Sequence, residues 1–196
     1  MTSPTETVSD QSEAPDQDLQ PIASMHGLGR PDKRMLYVFT GVLGGLPVGF
    51  PKMIAEEFDA SYAGKEDIDD VAEMLNEEND VVLGRFFNRP SARRRAIAIA
   101  NAGNAALMAV NVSTPHFIVL NRLEEVKADK LRRGCYARPR FDPTDPDNLS
   151  MLLSDVQPAT VDEGIHFVMN LKGSPETDSL LNVVEYRLGQ LGLLEQ

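Results

Sequence analysis

SARRRAIAIANAGNAALMAVNV, residues 91–112, is the stretch whose reading decides the fold. Set out at about 100° per residue, Ile97, Met108 and Val112 gather on one side of a helix, and Ile99, Leu107 and Val110 on the other. A helix that is apolar all round is a buried one. Pro90 and Ser91 supply a start signal, because a serine oxygen accepts from an otherwise orphaned first-turn amide. Ala98 with Ala102, and Ala105 with Ala109, form small-xxx-small spacings that let another backbone approach. Membrane helices use the same spacing, but Arg93, Arg94, Arg95 and three asparagines argue against a bilayer span. Asn101, Asn104 and Asn111 share one narrow arc, a polar stripe to be solvated or hydrogen-bonded. The stretch therefore reads as a central, Ala-rich buried helix over 91–112.

Downstream, Pro115–Arg133 reads as a second helix, with Thr114 as its cap, proline at its first position and Gly134 just past its end. Phe117, Leu120, Leu123 and Leu131 share an apolar arc, while Arg122, Glu125, Asp129, Arg132 and Arg133 make a solvated face with salt-bridge spacings. Residues 135–148 are irregular, with Asp-Pro turns leading into a short helix, 148–156, capped near Asp147. Asp142, Asp145, Asp147 and Asn148 lack the glycine and twelfth-position glutamate of an EF-hand. Gly164–Leu171 alternates as a strand, with Ile165, Phe167, Met169 and Leu171 on one face, and a helix follows over 175–191.

Upstream, Met35–Thr40 reads as a buried strand and GVLGGLPVGFPK, 41–52, as a glycine-rich turn entering a helix near Pro51. Strand, glycine turn and helix start is the arrangement that cradles phosphates on backbone amides. The spacing GxxxxGK[ST] is incomplete: Gly44 and Gly49 have the right separation, but Phe50 and Pro51 occupy the Lys and Ser/Thr positions. Thr40-Gly41 with Gly44 and Gly45 resembles the TGxxxG opening of short-chain dehydrogenases, yet Pro47 stands where the next glycine belongs. The turn is accordingly read as an apolar contact loop. Lys65–Glu78 reads as an acidic surface helix and Asp80–Phe87 as a strand or helix end.

Together these elements give an α+β expectation: a small sheet of 35–40 and 164–171, joined by 81–87 and 135–141, packed against several helices. One globular domain spans 25–196, preceded by a disordered acidic tail, 1–24, too polar to offset its chain entropy by burial. The net charge of −11 over 196 residues conceals a segregation: 1–84 carries −12, 85–140 carries +9 and 141–196 carries −8. The single cysteine, Cys135, excludes an intramolecular disulfide, and His26, His116 and His166 lack metal-ligand spacing. The amino terminus has no signal-peptide pattern, and the longest uncharged run, Met35–Pro51, is shorter than the about 20 residues of a spanning helix. A cytoplasmic or virion protein without membrane contact follows.

The functional expectation is a non-catalytic structural or adaptor protein that self-assembles as a homo-oligomer, as in a virion or other large assembly. No catalytic, cofactor or metal residue is assigned. The candidate interaction surface comprises Arg85, Arg89, Arg93, Arg94 and Arg95 with Gly44, Gly45, Pro47 and Phe50. One alternative is a nucleic-acid-binding module, with the arginines neutralising phosphates and Phe86 and Phe87 stacking on bases. A second is an enzyme that binds a phosphorylated ligand at the Gly41–Gly49 loop.

Overall fold

Met35–Thr40 forms strand β1, buried along its whole length as an interior strand must be. In a computed structural model, which describes residues 34–64, 70–76, 79–134, 141–174 and 176–190, it lies at the centre of a five-stranded sheet. The other strands are β2 (Ser61–Ala63), β3 (Val81–Phe86), β4 (Ala106–Ser113) and β5 (Phe167–Lys172), in the order β2-β3-β1-β4-β5. Every pairing is parallel. The helices are α1 (Phe50–Glu57), α2 (Val71–Asn76), α3 (Pro90–Ala102), α4 (His116–Arg132), α5 (Pro146–Ser154) and α6 (Thr177–Gln190). Strands and helices mix as expected, but the class is α/β rather than α+β, because parallel neighbours need crossover helices.

The 91–112 stretch is two elements, not one helix. Helix α3 stops at Ala102, Gly103 caps it, and Asn104 turns the chain at φ +49°. From Ala105 onward the apolar run is the near-continuous kind carried by strands covered on both faces, and β4 is buried from Ala106 to Val110. The asparagine stripe dissolves: Asn101 is exposed on α3, Asn104 is in the turn and Asn111 is on β4.

Two apolar layers follow from strand alternation. On one face, Met35, Tyr37 and Phe39 of β1 pack with Phe50 and Ile54 of α1 and with Leu180, Val184 and Leu188 of α6. On the other, Leu36 and Val38 pack with Val71 and Leu75 of α2 and with Ala96 and Ala100 of α3. Ile165, expected beside Phe167, falls in this second layer because β5 begins only at Phe167. Helices α4 and α5 cover the carboxyl edge of the sheet, where Val119, Leu123 and Leu149 enclose Val42 of the loop after β1.

The start of α5 is fixed by Asp145, two residues before the expected cap, whose carboxylate accepts from the amides of Asp147 and Asn148. Asp145→Ala is expected to cost about 1 kcal/mol in urea denaturation. The tail 1–24, Cys135 and most of the strand assigned to 135–141 lie outside the described residues. Among the described residues no helix is long and apolar enough to cross a membrane.

Candidate functional site at the carboxyl edge

The loop between β1 and α1 lies at the carboxyl edge of the central strand. Gly41 (φ +150°) runs so close to β4 that a Cβ there would stand 3.1 Å from the Val112 Cβ. Its amide donates to Asn88 Oδ1 at the end of β3, 2.8 Å away. The loop then tightens, with the Gly45 amide donating to Val42 O at 2.8 Å and the Phe50 amide to Pro47 O at 3.1 Å. Gly49, at φ +79°, delivers the chain into α1.

Helix α4 clasps this loop. Arg122 donates to Gly45 O at 2.8 Å and to Gly44 O at 3.3 Å, and its other terminal nitrogen donates to Ser174 O beyond β5. Thr114, expected as a helix cap, instead donates to Gly45 O at 2.7 Å, while Pro115 takes the cap position. Burial pushes the Arg122 pKa below its ordinary value and Glu125 opposes the shift; an arginine stays charged regardless. One guanidinium thus joins the loops after β1 and β5.

A polar row crosses the sheet beside the loop. Thr40, Asn111 and Asn170 are register neighbours on β1, β4 and β5. Thr40 donates to Asn111 Oδ1 at 2.8 Å, and the Asn111 amide group donates to Asn170 Oδ1 at 3.1 Å and to Ala159 O at 3.0 Å. Ala159 N donates back to Asn111 Oδ1, so Asn111 pins the segment that returns to β5. A cavity of about 550 Å³ opens here, with Thr40, Asn111 and Asn170 in its lining.

The nine residues of the expected interaction surface do not form one surface. Phe50 is 0% exposed, packed in the core, and Arg93 is 1% exposed. Arg93 donates to both oxygens of Glu163 at 2.7 Å and to the carbonyls of Phe87 and Gln157. Arg89 pairs with Asp155 at 2.6 Å, and Arg85 lies 4.8 Å from the centroid of the Phe87 ring. Arg94 and Arg95 are exposed on α3, while Gly44, Gly45 and Pro47 sit in the loop with Gly45 buried. Two of the five arginines therefore anchor the 155–163 segment, so the dense basic run is in part structural.

Sequence reasoning missed Arg122, which it placed on a solvated helix face, and put Asn111 in a helical polar stripe rather than in a row across the sheet. Nothing in the spacing marks Arg122, since its partners are backbone carbonyls distant in the chain. His166 Nδ1 accepts from the Leu107 amide at 3.1 Å, and no cluster able to hold a metal ion is present among the described residues.

No protein-family model and no curated protein matches the chain. Solved structures are similar in fold. A protein assigned as a kinase from Chloroflexus aurantiacus matches with a TM-score of 0.59 at 9% identity, over 79% of this chain and 98% of that one. A sugar kinase from Janibacter sp. matches at 0.53 with 14% identity, over 82% and 95%. The APS kinase of Mycobacterium tuberculosis, solved with AMPPNP and APS, matches at 0.50 with 15% identity, over 81% and 99%. The chain shares the fold of these kinases.

This finding overturns the structural or adaptor reading. The expectation of a self-assembling oligomer, with a virion as its setting, came from charge segregation and an apolar glycine loop. In the fold shared with these kinases, that loop is the connection from β1 to α1 of a parallel α/β sheet rather than a free contact loop. The leaning against an enzyme loses its support with it.

Proposed function

We propose that the chain binds a nucleotide, with the phosphates over the 41–49 loop and Arg122 supplying the charge that a loop lysine would otherwise provide. The observation that carries this reading is the position of the glycine loop, between β1 and α1 at the carboxyl edge of a β2-β3-β1-β4-β5 parallel sheet. Open parallel sheets bind ligands at that edge. The APS kinase of the same fold was solved with AMPPNP. Arg122 rests on neutral carbonyls here, and a phosphate is the stronger acceptor, so a nucleotide would draw the guanidinium off the loop.

Phe50 and Pro51 offer neither the cation nor the magnesium-binding hydroxyl of a complete phosphate loop. Binding is therefore expected to outlast phosphoryl transfer, and ATP hydrolysis or transfer to be slow.

Thermal denaturation of the full chain with ATP, ADP and GTP, with and without magnesium, tests the reading. At a hundredfold excess over the dissociation constant the native state gains about 2.7 kcal/mol, a rise in Tm of about 5–10 °C for a domain of this size. Arg122→Gln is expected to weaken binding about tenfold or more. Unchanged Tm across the panel at millimolar nucleotide would defeat the proposal.

A further inference from the structure

We infer that the cavity at the ends of β4 and β5 is a second binding site, for a small molecule that joins an anionic group, phosphate or carboxylate, to an apolar body. The inference stands apart from the loop and does not require that a nucleotide bind there.

Charge distribution is the first argument. Residues 141–196 carry ten carboxylates and two basic side chains, Lys172 and Arg187. Both basic residues line this one cavity, and no acidic side chain does so among the described residues. In a chain of net charge −11, chance placement of surface charge would put carboxylates at such an opening. Lys172 is exposed at the end of β5 and makes no ion pair among the described residues. Arg187, half-buried on α6, donates to the neutral Gln190 Oε1 at 3.3 Å and makes no ion pair among the described residues. Two cations in a shared concavity whose described lining holds no carboxylate focus positive potential and attract an anion.

Position is the second argument. The chain leaves β1 toward β2 on one side, and leaves β4 toward β5 on the other, although β1 and β4 are neighbours. Connections that diverge from adjacent strands open a crevice, and ligands of open α/β sheets bind there. Thr40 and Asn111, the register pair at the ends of those two strands, lie in the cavity lining.

The walls set the ligand class. Val156, Pro158 and Val183 give an apolar surface, suited to an aromatic or aliphatic body, while Lys172 and Arg187 hold the anionic end. The wall is pre-formed: Arg93 grips Gln157 O at 2.8 Å, Asn111 grips Ala159, and the Gln157 amide donates to Asn88 O at 3.1 Å. A volume of about 550 Å³ suits a compact molecule.

Phenyl phosphate, benzoate and inorganic phosphate are the probes, titrated into the isotope-labelled full chain and followed by amide chemical shifts. Phenyl phosphate or benzoate is expected to move the amides of 111–113, 156–157 and 170–172 saturably below about 10 mM, with inorganic phosphate about tenfold weaker. The better of the two organic anions identifies the acid group. Lys172→Gln with Arg187→Gln should weaken the organic anions at least about tenfold while leaving urea stability and ADP affinity unchanged. Absence of saturable shifts at these amides, or shifts unaffected by the double substitution, would overturn the inference. So would loss of ADP affinity in the same variant, which would merge the cavity with the nucleotide site. Organic-anion binding in a chain that ignores every nucleotide would sustain this inference and defeat the nucleotide reading alone.

Discussion

Phe50→Lys, the substitution that restores the residue type of a complete phosphate loop, is expected to destabilise the protein by about 3–5 kcal/mol rather than create activity. Phe50 is fully buried and packs in the layer formed by β1, α1 and α6. Replacing its ring with a charged amine removes a large apolar contact and asks an ammonium to enter a core where it would shed its proton or unfold its surroundings. Urea denaturation measures the loss. If the variant kept wild-type stability, the lysine would have found solvent at the mouth of the loop, and Phe50 would be a surface residue after all. Two ordinary features of a phosphate loop are therefore unavailable without rebuilding α1: its lysine position belongs to the core and its hydroxyl position is Pro51, half-buried at the first turn of the helix. On the nucleotide reading proposed above, Arg122, reaching in from α4 to the loop carbonyls, takes the place of that lysine.

The limits of reading this chain from residue order can be located at particular residues. Met35–Thr40, the final amphipathic helix and the carboxyl end of α4 were legible because hydrophobic period and punctuation agree there. The decisive error concerned Gly103 and Asn104, a helix stop signal in the middle of an apolar run. Overlooking it turned β4 into a helical extension, removed an interior strand and hid the alternation of strands and helices that distinguishes α/β from α+β. Alanine contributed to the error, since Ala105, Ala106 and Ala109 favour helix locally while the sheet overrides that preference. Lys172 and Arg187 were visible as the two basic residues after Arg140, but their convergence requires α6 to pack back over β5. For Arg122 no pattern existed to be read, because the carbonyls it binds belong to three glycine- or serine-bearing positions whose identities are silent about the contact.

Arg93→Ala is expected to cost about 3–5 kcal/mol, the penalty for removing one partner of a buried ion pair. Four acceptors each lose a donor at once, both Glu163 oxygens and the carbonyls of Phe87 and Gln157, and only Glu163 Oε1 keeps another among the described residues, the Thr160 amide. The side chain is 1% exposed, so water cannot readily replace it in an unrelaxed structure. The pH dependence has a definite sign. Hydrogen bonds from Arg93 hold the Glu163 carboxyl below the usual carboxylate range, against the opposing effect of burial. A depressed native pKa contributes stability that is present above the unfolded value of about 4.3, and it is lost as pH falls through the native one. Wild-type stability should accordingly decline on acidification from about pH 5, and Glu163→Gln should remove that part of the decline. Urea titrations at neutral and acidic pH compare the chains; a cost below about 1 kcal/mol for Arg93→Ala, or the same acid limb with and without the Glu163 carboxyl, would show that the pair does not hold the segment. Because that segment carries Val156 and Pro158 in the cavity wall, the same arginine connects the core to the proposed anion site. A folded Arg93 variant should bind phenyl phosphate more weakly even though both cavity cations are intact.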